Sequence, residues 1–321
     1  MNRRACQSLA RVVLLVSLMS IAGLAEAATY VVGIVCPSAT MEPAVAGFEN
    51  ALNELVKHAE GTTVTYVYSG PVSDVAAEVA RLLSSPNLGF LLTIGTPATQ
   101  AAQRATQGTG IPVVFTAIQD PVASGIVASM TQPGGNMTGV RVGGSSPKAL
   151  QWLLEIAPKT KRLYVPNWPS DSASVLGLAD LASAGGALGV EIVARDVSTT
   201  EELLAALADM PSDVDSVFLS SSASLNAQVD AYVQAALSRK IPLVSQSPLT
   251  GSGVLLTYGH DYQRDGAQAA RLVHLIFHGA APGDIPVETA DFFLGINLQT
   301  AEAIGLAISD DVLDQADVIV R

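Results

Sequence analysis

The sequence predicts an α/β protein of two lobes, each built on a parallel sheet, joined by a three-strand hinge. Three observations carry this. Apolar, β-rich runs alternate with Ala/Leu-rich runs of helical spacing, the pattern of parallel sheets flanked by helices. About ten strand runs of this kind exceed one comfortable sheet. A short echo also recurs 130 residues apart: Gly110-Ile111-Pro112-Val113-Val114 returns as Lys240-Ile241-Pro242-Leu243-Val244, each opening a buried strand after a helix.

Taken in order, the chain begins with an export signal. Arg3, Arg4 and Arg11 precede the uncharged apolar run 12–24, and Ala25-Glu26-Ala27 fits a small-x-small cleavage site. Residues 1–27 therefore read as a signal peptide cleaved after Ala27, because the apolar run is shorter than the roughly 20 residues a membrane span needs. Strands follow at 30–35 and 63–68, where β-branched and aromatic residues concentrate, with helical spacing at 41–58 and 73–85. The apolar strand 89–94 stops at Gly95-Thr96-Pro97-Ala98, and Pro97 suits the first turn of a helix over 97–106. Strand 112–116 stops at Thr116-Ala117-Ile118-Gln119-Asp120-Pro121, and Gln132 to Gly139 reads as turn.

Gly143-Gly144-Ser145-Ser146-Pro147 reads as a crossing between lobes, before a helix at 146–156. The second lobe then alternates strands at 162–165, 191–196, 215–219, 243–245 and 254–258 with helices at 172–186, 200–210 and 223–239. Tyr258-Gly259-His260-Asp261 reads as a second crossing, with Asp261 capping a helix over 261–278. The Gly- and Pro-rich stretch 279–286 reads as a third, before a strand at 292–296. The expected lobes are 28–143 with 260–283, and 144–259 with 284–321.

Composition narrows the function. The full chain carries 17 basic and 29 acidic residues. Loss of Arg3, Arg4, Arg11 and Glu26 with the signal leaves 14 against 28, a net charge of −14. Such a surface repels nucleic acid and anionic membranes alike. The mature chain keeps one cysteine, Cys36, which cannot form an internal disulfide and reads as a small apolar filler. There is no G-x-S-x-G nucleophile elbow, no G-x-G-x-x-G and no P-loop. His274 and His278 stand four apart on one helix, but no Glu or Cys joins them at ligand spacing. No cofactor, metal or catalytic group is expected.

Several segments together resemble a known family: Ile94 to Ala98, Ile111 to Phe115, Asp120-Pro121-Val122, Pro133-Gly134-Gly135-Asn136-Met137-Thr138-Gly139, Ser245-Gln246-Ser247 and Ile296-Asn297-Leu298-Gln299-Thr300-Ala301. They are similar to the tryptophan-type family of ABC transporter substrate-binding proteins. The resemblance implies a fold like the type I periplasmic binding proteins, with two Rossmann-like lobes. It implies a periplasmic, monomeric protein that captures a small solute, an aromatic amino acid or a related small polar molecule. The partners implied are an ABC permease and its ATPase in the inner membrane, and no nucleic acid. Two other readings remain open, an extracytoplasmic ligand sensor subunit and a secreted α/β enzyme.

In an open parallel sheet, ligands sit at the carboxyl ends of the strands. An amino-acid carboxylate needs N–H and O–H donors. Thr96, with Pro97 and Ala98 at a helix start, offers a hydroxyl and helix-end amides, and Thr116 offers another hydroxyl. Asp120 is the expected partner of the ammonium, with a turn-forming Asp-Pro as the alternative. From the second lobe the candidates are Asn167, Ser220, Ser221, Ser222, Asn226, Ser245 and Gln246, with Tyr258 as an aromatic contact or a core residue.

Overall fold

The computed structural model describes residues 29–57, 62–220 and 222–321. The export signal, His58 and Ser221 lie outside the described residues. Strand β1 (Thr29–Val35) is followed by helix α1 (Glu42–Val56), β2 (Thr63–Val67), α2 (Val75–Leu83), β3 (Leu88–Ile94), α3 (Thr96–Thr106), β4 (Val113–Ile118) and β5 (Met137–Arg141). Next come α4 (Ser146–Ile156), β6 (Arg162–Asn167), α5 (Ser172–Leu188), β7 (Glu191–Asp196), α6 (Thr200–Ala208), β8 (Ser216–Leu219), α7 (Ala223–Asn226), α8 (Val229–Arg239), β9 (Leu243–Ser245) and β10 (Leu256–Gly259). The chain ends with α9 (Tyr262–Phe277), β11 (Glu288–Thr289), β12 (Phe293–Asn297), α10 (Leu298–Ile304), α11 (Asp310–Leu313) and β13 (Val318–Val320).

These strands form two sheets. The first has the order β11-β5-β4-β3-β1-β2 and is parallel throughout. The second has the order β13-β12-β10-β9-β8-β6-β7, with β10 and β12 the one antiparallel pair among the described residues. Each sheet is covered on both faces, which is why its strands are apolar runs rather than alternating ones. In β3, Phe90, Leu92 and Ile94 enter one core with Phe48 of α1, while Leu91 enters another with Leu82 of α2 and Ala98 of α3. The second sheet has the same two-sided arrangement, with α4 and α5 on one face and α6 and α8 on the other.

Helix α9 belongs to the first lobe although the sequence reaches it from the second. Its anchor is α1. A Cβ added at Gly47 would lie 1.9 Å from the Gln263 carbonyl oxygen, and one at Gly266 would lie 1.9 Å from that of Ala44. Only glycine lets the two backbones approach this closely.

Three differences from the sequence reading bear on the site. Strand β5 lies in a stretch read as turn: Gly139 there lets the strand pass over Phe115, whose ring carbon Cδ2 would be 2.5 Å from an added Cβ. The run 223–239 is two helices, and the break leaves Asn226 at the end of a single turn. The chain also stays on the first sheet beyond 279–286, because Ile285 and Val287 are buried apolar residues of that lobe and β11 pairs with β5. The Gly-Pro segment is a turn held inside the lobe by the Gly134 N–H donating to the Gly283 carbonyl at 3.1 Å. The sheets are therefore connected at 142–145, 260–261 and 290–292.

Candidate functional site

All three connections leave the carboxyl ends of strands, so those ends of both sheets face one another across the junction. In the first lobe the ends of β1, β3 and β4 meet. Gly95, with φ of 81°, turns the chain from β3 into α3, and its N–H donates to the Thr116 carbonyl at 2.9 Å. A Cβ there would be 3.6 Å from Met41 Sδ and 3.9 Å from Pro37, in the loop after β1. Helix α3 begins at Thr96 itself, one residue earlier than the sequence suggests. Its Pro97 is exposed and its Ala98 is packed in the core.

A cavity of about 330 Å³ opens between the lobes. Thr40 and Pro43 line it from the first lobe, and Asn226, Ala227, Ser247, Pro248 and Leu249 from the second. Asp261 and Tyr262 line it at the second connection. The Asn226 side chain is held by its amide donating to Ser247 Oγ at 2.7 Å. Asp261 Oδ1 accepts the Arg264 N–H at 2.9 Å, so this carboxylate caps α9 while bordering the cavity.

Among the described residues, Ser38 Oγ, Thr116 Oγ1, Ser220 Oγ, Ser222 Oγ and Asn226 Oδ1 are buried without a partner, in or just after β1, β4 and β8 and at the end of α7. Leaving such a group unpaired costs about 1–3 kcal/mol.

Tyr262 is half-buried. Burial pushes its phenol up to about 12, with the charges of Asp265 and Asp171 adding to the effect. Its ring meets that of His260 edge to face, with centroids 4.9 Å apart and planes at 89°. His260 Nδ1 is 2.5 Å from Asp265 Oδ2, and both side chains are buried. Burial raises the Asp265 carboxyl above its ordinary value, and the hydrogen bond with His260 opposes that rise.

Several sequence candidates stand elsewhere. Asp120 Oδ1 accepts the N–H groups of Val122 and Ala123 at 3.0 and 2.9 Å, the turn role of an Asp-Pro. It borders a separate space of about 140 Å³ with Arg141 and Asp180. Burial raises the Asp180 carboxyl, Arg141 lowers it, and Asp120 raises it. Asn167 is consumed by Asp196 at 2.7 Å and Ser174 at 3.0 Å, tying β6 to β7 and α5. Gln246 donates to Ser145 Oγ and Ser146 Oγ, each at 2.8 Å, and so braces the first connection. Ser245 Oγ accepts the Ser247 N–H at 3.0 Å. Tyr258 packs into the second lobe's core beside Phe292, with centroids 5.8 Å apart. Thr116, Ser220, Ser222 and Asn226 are the candidates that supply unpaired polar atoms.

Sequence reasoning did not offer Ser38, Thr40, Asp261 or Tyr262 as candidates, whereas Ser247 belonged to the strand-end run Ser245-Gln246-Ser247. Asp261 was legible as a cap, and the aromatic residue just after it was the available signal for Tyr262. Burial pushes the Cys36 thiol up, and Sγ donates to the Ser38 carbonyl at 3.2 Å, so Cys36 is a packed thiol rather than a thiolate. Among the described residues no three His, Cys, Asp or Glu side chains are grouped to hold a metal.

Comparison with known proteins agrees with this geometry. A family model described as "ABC transporter substrate binding protein" matches residues 31–320. A tyrosine-binding protein of Clostridioides difficile (strain R20291) is 28% identical over 255 residues, covering 78% of this chain and 73% of that protein. Among solved structures, an ABC domain from Streptococcus pneumoniae in complex with L-Trp aligns with TM-score 0.77 and 22% identity, covering 91% of this chain and 99% of that one. A ligand-free, open substrate-binding protein with adhesive properties from Clostridium difficile aligns with TM-score 0.75 and 22% identity, over 91% and 99% of the two chains.

Proposed function

The chain belongs to the ABC transporter substrate-binding protein family, and from that premise we propose that it captures a free amino acid with an aromatic side chain between its lobes. The observation that carries this reading is a cavity between the lobes with one carboxylate, one tyrosine and the unpaired Asn226 Oδ1 in its lining, together with unpaired hydroxyls of Ser38, Thr116, Ser220 and Ser222 in the strands and loops that lead to the junction. Asp261 and the Asn226 carbonyl oxygen suit an ammonium. The hydroxyls of Ser38, Thr116, Ser220 and Ser222, with the amino-terminal amides of α3, suit a carboxylate. Tyr262, Pro43 and Leu249 provide the apolar wall for a flat side chain. Nothing in this arrangement needs a bond to be broken, so the solute leaves unchanged.

The connections at 142–145, 260–261 and 290–292 act as the hinge. Contacts from both lobes favour the closed form, and the shift equals the difference in affinity between the two forms. The protein then presents its solute to a permease driven by an ATPase. In this reading the protein is exported, cleaved after Ala27, and works in the periplasm as a monomer that does not bind nucleic acid. Calorimetry with L-tyrosine, L-tryptophan, L-phenylalanine and L-leucine tests the reading. The aromatic amino acids are expected to bind more tightly than leucine and to be recovered intact. Absence of heat with all four, or conversion of the solute, overturns it.

A further inference from the structure

We propose that His260, held by Asp265, is a positioning residue that fixes the orientation of Tyr262 and so sets the preference of the cleft for a flat side chain. The inference rests on the amino-acid reading above.

The backbone on either side of His260 is confined. A Cβ at Gly259 would sit 1.5 Å from the Gln246 carbonyl oxygen, so the second connection lies against the end of β9. Two residues later α9 begins, and its first turn is bound to the connection by the Asp265 N–H donating to the Asp261 carbonyl at 2.9 Å. Within this frame Asp265 Oδ2 takes the Nδ1 side of the imidazole at 2.5 Å, and the pair is almost wholly buried, at 4% and 1% exposure. A buried carboxylate left without that partner would be costly, so the ring is held in one place.

The imidazole then meets Tyr262 at 89°, the edge-to-face arrangement that aromatic rings prefer. Tyr262 is thus pressed on one side by a fixed ring, while it borders the interlobe cavity. A rigid aromatic wall favours another flat ring and gains little from a branched aliphatic chain. A tyrosine free to rotate would admit either. His260 does not line that cavity, so its influence on the guest passes through Tyr262.

The test uses two variants and their combination. His260→Asn keeps an N–H for Asp265 while removing the ring, and Tyr262→Leu removes the wall itself. Calorimetry gives the ratio of L-tyrosine to L-leucine affinity for each. The ratio is expected to fall about fivefold in H260N, with the melting temperature of the ligand-free protein lowered by the space the ring leaves. It falls also in Y262L, and the double variant falls no further than Y262L alone. An unchanged ratio in H260N, equal loss of both ligands, or additive effects in the double variant overturns the positioning role and leaves the amino-acid reading intact. If H260N does not fold, an unchanged ratio in Y262L alone overturns the proposal. Failure of the parent protein to bind either amino acid removes both.

Discussion

At the scale of single residues, Asp261 does two jobs that one substitution separates. Asn also caps helices well, so Asp261→Asn keeps α9 started while removing the charge. Calorimetry is expected to show amino-acid affinity reduced at least about tenfold, since losing one partner of a desolvated charge pair costs about 2–5 kcal/mol. Unchanged affinity would take Asp261 out of the site. Glu78 carries a different expectation. Hydrogen bonds from Arg81 at 2.7 and 2.6 Å hold its carboxyl below the ordinary 4.5. The unfolded chain therefore takes up a proton at higher pH than the native one, and stability contributed by Glu78 is present above about pH 4.5 and lost as pH falls below it. Urea unfolding as a function of pH should show a flatter acid limb in Glu78→Gln. The residue scale is also where the sequence was least informative. Asp120 and Asp261 both follow strands, and one-dimensional order does not say which carboxylate borders the cavity with Asn226 and Tyr262. Asn167 and Gln246 are polar residues at the right strand ends that turn out to be occupied by neighbours distant in sequence.

At the scale of elements, the seating of α9 on α1 is a contact that a single methyl group disturbs. Gly266→Ala raises helix propensity by about 1 kcal/mol. It also drives a Cβ against the Ala44 carbonyl, which 1.9 Å of space cannot hold. Overpacking of this kind costs about 1–3 kcal/mol. The net expectation is a melting temperature lowered by several degrees, with weaker solute binding because Asp261 and Tyr262 ride on the same helix. A melting temperature equal to or above the parent's would show that the helices separate without cost. Most long elements were legible because their cores select a run of apolar residues of definite period. The strands β5, β11 and β13 were not, because they are short or contain a glycine whose purpose is a contact with another strand. The third connection was misplaced for the same reason: glycine and proline mark a turn, and a turn inside a lobe looks the same in sequence as one between lobes.

For the whole molecule, two sheets joined at three places predict a concerted change of shape. Small-angle scattering should give a smaller radius of gyration with a tightly bound aromatic amino acid than without it, and superimposable profiles would remove hinge closure. Arg264 lies over the Phe293 ring at 3.9 Å, linking α9 to β12 across the junction. The two-lobe division was readable from the number of strands and the internal echo, whereas which residues of the two lobes line a common cavity was visible only once the sheets were seen together. The interleaved path of the chain has one more consequence. The first lobe cannot be finished until α9 and β11 have left the ribosome, although its opening strand is made first. Until then α1 lacks its partner and the first sheet lacks an edge, so the growing polypeptide stays unfinished for nearly its entire synthesis. An exported protein gains from that delay, because a translocation channel threads a loose chain more readily than a completed globule.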